Sequence, residues 1–291
     1  MASDNTLHEQ VQRFWNIEEI EQNLLPSKND EYCEADFVKN CQRDSCGRFT
    51  VNLPFKGDPN ELGESREHAL KRFHKLEKRL ESQPDIKELY VRFMQEYLEL
   101  GHMSQISSIK ETASKKYYIP HHAVVTNIND RIKLRVVFDA SARTTSGIAL
   151  NDLLRVGPTI QPTLLATVVR FRQYQFVMTA DIVKMYRQVN IQEDQRDLQR
   201  IIWRADINQP IQEYRLNTVT YGLALAPFLA IRALQQTGQD AQQDHPVASQ
   251  VICRDFYVND LLTDSDNLTK LQALKQEIIE ILRSAGFKLA K

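Results

Sequence analysis

Apolar residues recur with two different periods along the chain, which separates a helical first part from a β-rich second part. Between residues 69 and 98, two runs of apolar residues have the three- and four-residue spacing of an amphipathic helix. Pro84 separates the two predicted helices, and Gly101 follows the second. The basic face of the first helix also contains Glu77 and Glu81, so we expect it to be a solvated surface.

From about residue 117, short apolar runs alternate with turn residues, a pattern typical of strands. Strands are predicted over HHAVVT and KLRVVFDA around the turn NINDR, and over QFVMTAD, LQRIIW and YRLNTV. The stretches VICRDFYV and LLT predict a hairpin around Asn259 and Asp260. Helices are predicted over APFLAIRALQQ and from about Asp266 to Gly286, while QQTGQDAQQD is expected to be an exposed loop. This order predicts an α+β fold whose sheet is covered by helices on one face.

Composition narrows the class of protein only slightly. The 291 residues are 42% hydrophobic and 26% charged, as in ordinary soluble globular proteins. A net charge of −1 does not by itself indicate a nucleic-acid partner. The amino-terminal residues contain no signal peptide, and the most apolar stretch is too short to span a bilayer, so we expect an intracellular, cytoplasmic protein without membrane contact.

Four cysteines, Cys33, Cys41, Cys46 and Cys253, are scattered along the chain. Their spacing is unusual for a zinc site and no fourth ligand is evident, so free thiols in a reducing compartment are favoured. A zinc site at the first three cysteines stays open as the alternative.

Two aspartates end strands that read as buried. Asp181 ends QFVMTAD, and Asp260 lies at the tip of the last hairpin. If the strands are neighbours, the two carboxylates repel each other unless a divalent cation binds between them. Such a pair suits phosphoryl transfer with Mg²⁺ or Mn²⁺. The alternative is two unrelated turn aspartates, since Asn259 and Asp260 also suit a simple hairpin turn.

Several stretches occur together in the order of known polymerase motifs. TADIVKMYRQV, VTYGLALAPFLAIRAL, FYVNDLLT and AGFKLAK resemble successive palm motifs of a retroelement reverse transcriptase. YYIPHHAVV, KLRVVFDAS and LNDLLRVGP resemble its fingers, and RFWNIEEI, GRFTVNLPFK, RFHKLEKRL and EYLELGHM resemble the stretch before them. The sequences of these motifs are most similar to those of the BEL/Pao group of long-terminal-repeat retrotransposons.

This resemblance implies the right-hand polymerase fold, with an antiparallel palm sheet packed on helices and a β-rich fingers subdomain. It implies a mostly helical lead-in region over residues 1–105, fingers over 106–175 and palm over 176–291, with 190–215 contributing to the fingers. No protease motif occurs, and the chain ends before a thumb, ribonuclease H or integrase region. We therefore expect a fragment of a polyprotein or a decayed copy, located in the cytoplasm or in virus-like particles.

The resemblance also implies catalytic roles at the hairpin. Asp181 and Asp260 match the metal-binding acids that hold Mg²⁺ or Mn²⁺. Asn259 stands where the family has aspartate in its Tyr-x-Asp-Asp signature. Asparagine retains one carbonyl oxygen but loses the charge, so we expect impaired catalysis.

For the nucleotide, the resemblance implies that Tyr186 lies under the incoming sugar and excludes a 2′-hydroxyl. Arg135 matches the residue that binds the triphosphate, with Lys133 sharing that role, and Tyr221 and Gly222 match the segment packed against nucleotide and template. A core tyrosine at 186 and an exposed hairpin arginine at 135 are the alternatives.

Local charge agrees with a nucleic-acid partner. The predicted contacts are made by basic and aromatic side chains, namely Lys115, Lys116, Arg131, Arg143 and Tyr257. A solvated basic hairpin is the alternative. The predicted function is RNA-directed DNA polymerase acting on an RNA or DNA template with primer and deoxynucleoside triphosphates. A catalytically silent nucleic-acid-binding remnant is the other candidate.

Overall fold

The computed structural model describes residues 26–106, 115–128 and 131–290. The α-helices of this part are α1 (Lys28–Asn40), α2 (Arg66–Glu81), α3 (Pro84–Glu99), α4 (Leu150–Leu153), α5 (Leu164–Arg170), α6 (Ala226–Asp240), α7 (Pro246–Arg254) and α8 (Leu268–Ser284). The strands are β1 (Gln42–Arg43), β2 (Phe49–Val51), β3 (Met103–Gln105), β4 (His121–Ile128), β5 (Arg131–Phe138), β6 (Phe176–Ile182), β7 (Asn190–Ile191), β8 (Arg200–Trp203), β9 (Gln212–Leu216), β10 (Phe256–Tyr257), β11 (Asp260–Ser265) and β12 (Leu289–Ala290).

The central sheet has the strand order β10-β11-β6-β12, and all of its pairs are antiparallel. Alternate residues of its strands face the helices, as the twofold repeat of a strand requires. Leu261 and Thr263 of β11 are buried on that side; β11 packs against α8, and β10 packs against α7. Val177 and Thr179 of β6 are exposed on the other side. The sheet is therefore covered on one face and open on the other, as predicted.

Smaller sheets surround this one. β4 and β5 form a long hairpin, β3-β9-β8 a three-stranded antiparallel sheet, and β1-β2-β7 a sheet with one parallel pair. Mixed helices and mainly antiparallel sheets agree with the predicted α+β class. The boundaries proposed for the lead-in, fingers and palm regions stay predictions.

The two amphipathic helices predicted in the first part are α2 and α3. Their buried positions follow the apolar stripe, with Phe73 and Leu76 on α2 and Tyr90, Met94 and Tyr97 on α3. Pro84 begins α3, where its missing amide hydrogen costs no intrahelical bond.

A buried histidine lies where these helices meet the β4–β5 hairpin. His121 Nε2 lies 2.9 Å from the Ile202 carbonyl oxygen, so it donates that hydrogen bond. His121 Nδ1 accepts from the hydroxyl of Tyr90 at 2.5 Å. Burial lowers the pKa of His121 to about 4, so the ring is neutral in the folded protein.

Two local predictions are wrong. VICR forms the end of helix α7 and not a strand, because Pro246 begins a helix whose apolar side, including Val251 and Ile252, is buried. The first half of the glutamine-rich stretch is helical rather than a loop, because α6 continues to Asp240. There Gly238 packs closely against Ile252, a contact that composition does not reveal.

The four cysteines are free thiols in the structure. In the ranges that the structure describes, no helix is both long and apolar enough for a membrane span.

Candidate active site

Two carboxylates face each other across the middle strands of the central sheet. Asp181 on β6 lies directly opposite Asp260 on β11 in the antiparallel register. Directly opposed residues project from the same face of a sheet, with Cβ atoms about 4.5–5.5 Å apart. Asp260 is exposed and its neighbour Leu261 is buried, so this is the open face of the sheet. The two strands are therefore neighbours, which the sequence argument required.

The hairpin between β10 and β11 turns through two residues, Val258 and Asn259. Val258 has a φ of 56°, a left-handed conformation that β-branched residues rarely adopt. Its amide donates to Oε1 of Gln161 at 2.9 Å, and the Asn259 carbonyl accepts from the amide of Ile182 at 2.9 Å. The turn is thus held on both sides, and its backbone strain is located beside the acids.

Asn259 lies next to the carboxylate of Asp181. Its Nδ2 donates a hydrogen bond to Oδ1 of Asp181. The amide N–H of Asn259 therefore points at the carboxylate of Asp181 and takes up one of the lone pairs of that carboxylate. No cluster of three or more acidic, cysteine or histidine side chains that could hold a metal ion occurs among the residues described. The donors available to a cation are two carboxylates and, after the amide rotates, one carbonyl oxygen.

The chain turns sharply after β6 and brings Tyr186 against Tyr221. Lys184 has a φ of 52° and precedes a short 3-10 turn, Met185–Gln188. The ring centroids of Tyr186 and Tyr221 are 4.7 Å apart and their planes are inclined at 59°. Burial raises the pKa of both phenols, so they are neutral hydrogen-bonding groups at physiological pH.

Charges of both signs act on the phenol of Tyr221. After burial, the main influences on its pKa are Arg187, which lowers it, Asp181, which raises it, and Arg135, which lowers it. The phenol of Tyr221 is therefore within electrostatic range of both the predicted catalytic acid and the predicted triphosphate-binding arginine. Lys133 and Arg135 are both exposed on β5.

The backbone conformation and close packing at position 222 require glycine. Its φ is 101°, and a Cβ atom there would lie 1.9 Å from the carbonyl oxygen of Phe138. Asn151 secures this segment, because its Nδ2 donates to the Gly222 carbonyl at 2.8 Å and its Oδ1 accepts from the amide of Ala224 at 2.9 Å. The segment after Tyr221 is thereby fixed against the end of β5.

The residues predicted to contact nucleic acid lie in several places. Lys115 donates to the carbonyl of Asn60 in a short 3-10 turn, and Arg143 donates to the carbonyl of Gly147 in its own segment. Lys116 is half-buried, and Tyr257 lies on β10 of the central sheet. The side chain of Arg131 is outside the part of the chain that is described.

Sequence reasoning missed the groups that hold this site in place. They are Gln161 at the hairpin tip, Asn151 at Gly222, and Arg187 beneath Tyr221. Each acts through a contact distant in sequence, so no local pattern marks it.

A family model described as reverse transcriptase (RNA-dependent DNA polymerase) matches residues 125–291, which is more than half of the chain. The chain belongs to this reverse transcriptase family. The match contains the carboxylate pair and both tyrosines and leaves helices α1 to α3 outside it. The match confirms the predicted reverse transcriptase family, and the polymerase activity of this chain is a proposal. The BEL/Pao subgroup stays a prediction.

Solved structures also match this reverse transcriptase chain, 465 chains in total. One is the foamy viral protease-reverse transcriptase dRH in complex with double-stranded DNA, 14% identical in sequence, with a TM-score of 0.48 over 67% of this chain. The chain spans 28% of the length of that relative. A search of curated proteins found no match to this chain.

Proposed function

We propose that this chain is the fingers-and-palm part of an RNA-directed DNA polymerase from a BEL/Pao-type retrotransposon polyprotein. The observation that carries the proposal is the register that sets Asp181 opposite Asp260 on the open face of the sheet. The family match over residues 125–291 supports the same conclusion. Reverse transcriptases bind a template with primer and deoxynucleoside triphosphates, and this chain is proposed to do so across that open face.

The donor set fits a divalent cation. Mg²⁺ in proteins is typically bound by one or two carboxylates together with substrate phosphates, and Asp181 and Asp260 provide two. When bound, such ions polarise the attacking and leaving oxygens of a phosphoryl transfer. Without a bound cation the two carboxylates repel each other, so the site favours binding of a positive ion.

Asn259 weakens this site in two ways. It supplies no charge where the family's pattern has aspartate, and its amide occupies an oxygen of Asp181. Loss of one well-placed electrostatic group typically lowers a rate by about 10²–10³. We infer a polymerase of reduced activity.

The nucleotide is proposed to lie between the hairpin and β5. Tyr186 would support the sugar and exclude a 2′-hydroxyl, with its ring packed against that of Tyr221. Arg135 would bind the triphosphate, with Lys133 beside it. Gly222 permits close approach of the backbone to nucleotide and template.

A second candidate is a nucleic-acid-binding protein without catalysis. The hydrogen bond from Asn259 to Asp181 favours it, because the amide partly replaces the cation that the acids would otherwise need. This candidate keeps the basic β4–β5 hairpin and predicts binding that weakens steeply with salt.

Primer extension distinguishes the two candidates. The chain is incubated with a labelled primer–template, deoxynucleoside triphosphates and Mg²⁺ or Mn²⁺, with Asp181→Asn as the control. Template-dependent incorporation that the control lacks supports the polymerase. Salt-sensitive binding without incorporation supports the silent protein, and absence of binding contradicts both.

A further inference from the structure

Arg187 is a buried cation that has no carboxylate partner among the residues that the structure describes. Only 9% of the residue is exposed, and no carboxylate among the described residues lies within ion-pair distance of it. Its Nε also has no hydrogen-bond partner in that part of the chain. Burying an uncompensated charge is costly, so its position requires a physical explanation.

Aromatic rings take the place of a counter-ion. The guanidinium carbon lies 4.3 Å from the ring centroid of Tyr97, 5.1 Å from that of Phe93 and 5.8 Å from that of Tyr221. Cation–π contacts are strongest where the cation is removed from water, as the Arg187 guanidinium is here. Tyr97 and Phe93 belong to α3, whereas Tyr221 belongs to the proposed nucleotide site.

The turn that carries Arg187 is held to the first part of the chain at further points. Lys184 forms an ion pair with Glu96 of α3. The carbonyls of Arg187 and Gln188 accept from Arg48, from its Nη2 at 2.6 Å and its Nε at 3.2 Å. Helix α3 and Arg48 lie outside the residues that match the family, 125–291.

We propose that Arg187 is a positioning residue that fixes the Tyr186–Tyr221 pair against helix α3. The region before the family match thereby sets how strongly the site discriminates deoxyribonucleotides from ribonucleotides. The nucleotide part of this inference rests on the proposed function. The structural part, the attachment of the turn to α3, does not.

Matched variants separate this role from general stability. Arg187→Met removes the charge and keeps the length of the side chain. Tyr97→Leu removes the ring, whereas Tyr97→Phe keeps it. Arg232→Met is the control, because Arg232 is 7% exposed and stacks on Phe37, but it pairs with Glu34 of α1.

The first measurement is hydrogen exchange of the peptide covering residues 183–190, which needs no nucleotide. The amides of Arg187 and Val189 close the turn through bonds to Lys184 and Tyr186. Arg187→Met and Tyr97→Leu are expected to raise their exchange about tenfold, the size of a cation–π contact. Tyr97→Phe and Arg232→Met are expected to leave it unchanged. Unchanged exchange in Arg187→Met, or in Tyr97→Leu if the arginine variant does not fold, overturns the inference.

The second measurement compares two binding affinities of the protein in complex with a template and a dideoxy-terminated primer. One is for a deoxyribonucleoside triphosphate and the other for the corresponding ribonucleoside triphosphate, and their ratio measures the discrimination. Arg187→Met and Tyr97→Leu are expected to reduce this ratio about tenfold, and Arg232→Met to preserve it. An unchanged ratio with faster exchange contradicts the role in discrimination. If the unmodified chain binds neither nucleotide, the proposed function fails, and the exchange experiment alone decides whether α3 holds the turn.

Discussion

Replacing Asn259 by aspartate is expected to destabilise the fold and to make its stability depend on a divalent cation. The change removes the hydrogen bond that Asn259 donates to Asp181. It also adds a third negative charge at the hairpin tip, beside Asp181 and Asp260.

The magnitude follows from these two effects. A hydrogen bond to a charged group contributes about 1.5–3 kcal/mol. Repulsion between charges about 5 Å apart is about 3 kcal/mol at an effective dielectric constant of 20, and solvent reduces it because Asp260 is exposed. We expect a loss of about 2–4 kcal/mol in the free energy of unfolding, which lowers the Tm by about 5–10 °C in a chain of this size.

The assay is thermal unfolding in EDTA and in Mg²⁺, with Asn259→Ala as the control that loses the hydrogen bond without adding charge. Asn259→Asp should melt below Asn259→Ala in EDTA. Saturation with Mg²⁺ at about 100 times the Kd should restore about 2.7 kcal/mol to the aspartate variant, and less to the other two proteins, whose site has only the two carboxylates Asp181 and Asp260. The reasoning is refuted if Asn259→Asp is as stable as the unmodified chain in EDTA, or if Mg²⁺ shifts all three proteins equally.

Three further outcomes are expected. In an Asn259→Asp background, Tyr186→Ala should admit ribonucleotides in primer extension; unchanged discrimination would show that Tyr186 is not the sugar gate. Replacing Lys133 and Arg135 together by glutamine should weaken binding of a deoxynucleoside triphosphate at least about tenfold, because each change removes a charged contact to phosphate; unchanged binding would exclude both residues from the triphosphate site. The pKa of His121 falls from about 6.5 in the unfolded chain to about 4 in the folded protein. The neutral His121 ring therefore makes its full contribution to the free energy of unfolding above pH 6.5. Up to about 3 kcal/mol of stability should be lost between pH 6.5 and 4 in urea unfolding, and His121→Met should show a smaller loss.

Periodicity was sufficient to predict the parts of the fold that are long and strongly patterned. The amphipathic helices α2 and α3 and the β4–β5 hairpin occur where the sequence indicated. Asp181 and Asp260 also lie where their positions at strand ends suggested, because neighbouring antiparallel strands bring such ends together.

Short apolar runs and polar helices were not predictable from local pattern. VICR fits a strand or a helix equally well, and packing of Val251 and Ile252 against the helical layer decides for a helix. The end of α6 is polar in composition, yet Gly238 lets it approach Ile252 closely. Tertiary contact overrides propensity at both places.

The residues that hold the site in place could not be predicted from the sequence for a related reason. The placement of Arg187 among the rings of α3, and of Gln161 at the hairpin tip, depends on contacts between distant segments. The side chains themselves are ordinary polar residues, so only the folded structure reveals their roles.

The most direct test of the central claim is the primer-extension rate of Asn259→Asp compared with the unmodified chain. If Asp181 and Asp260 form a polymerase metal site that Asn259 weakens, the variant should extend a primer at least about 10²-fold faster. Adding Asp181→Asn should abolish the gain, because the residues act as a unit. A variant that folds and binds template without gaining activity, or one that keeps its gain with Asp181→Asn, would contradict the account.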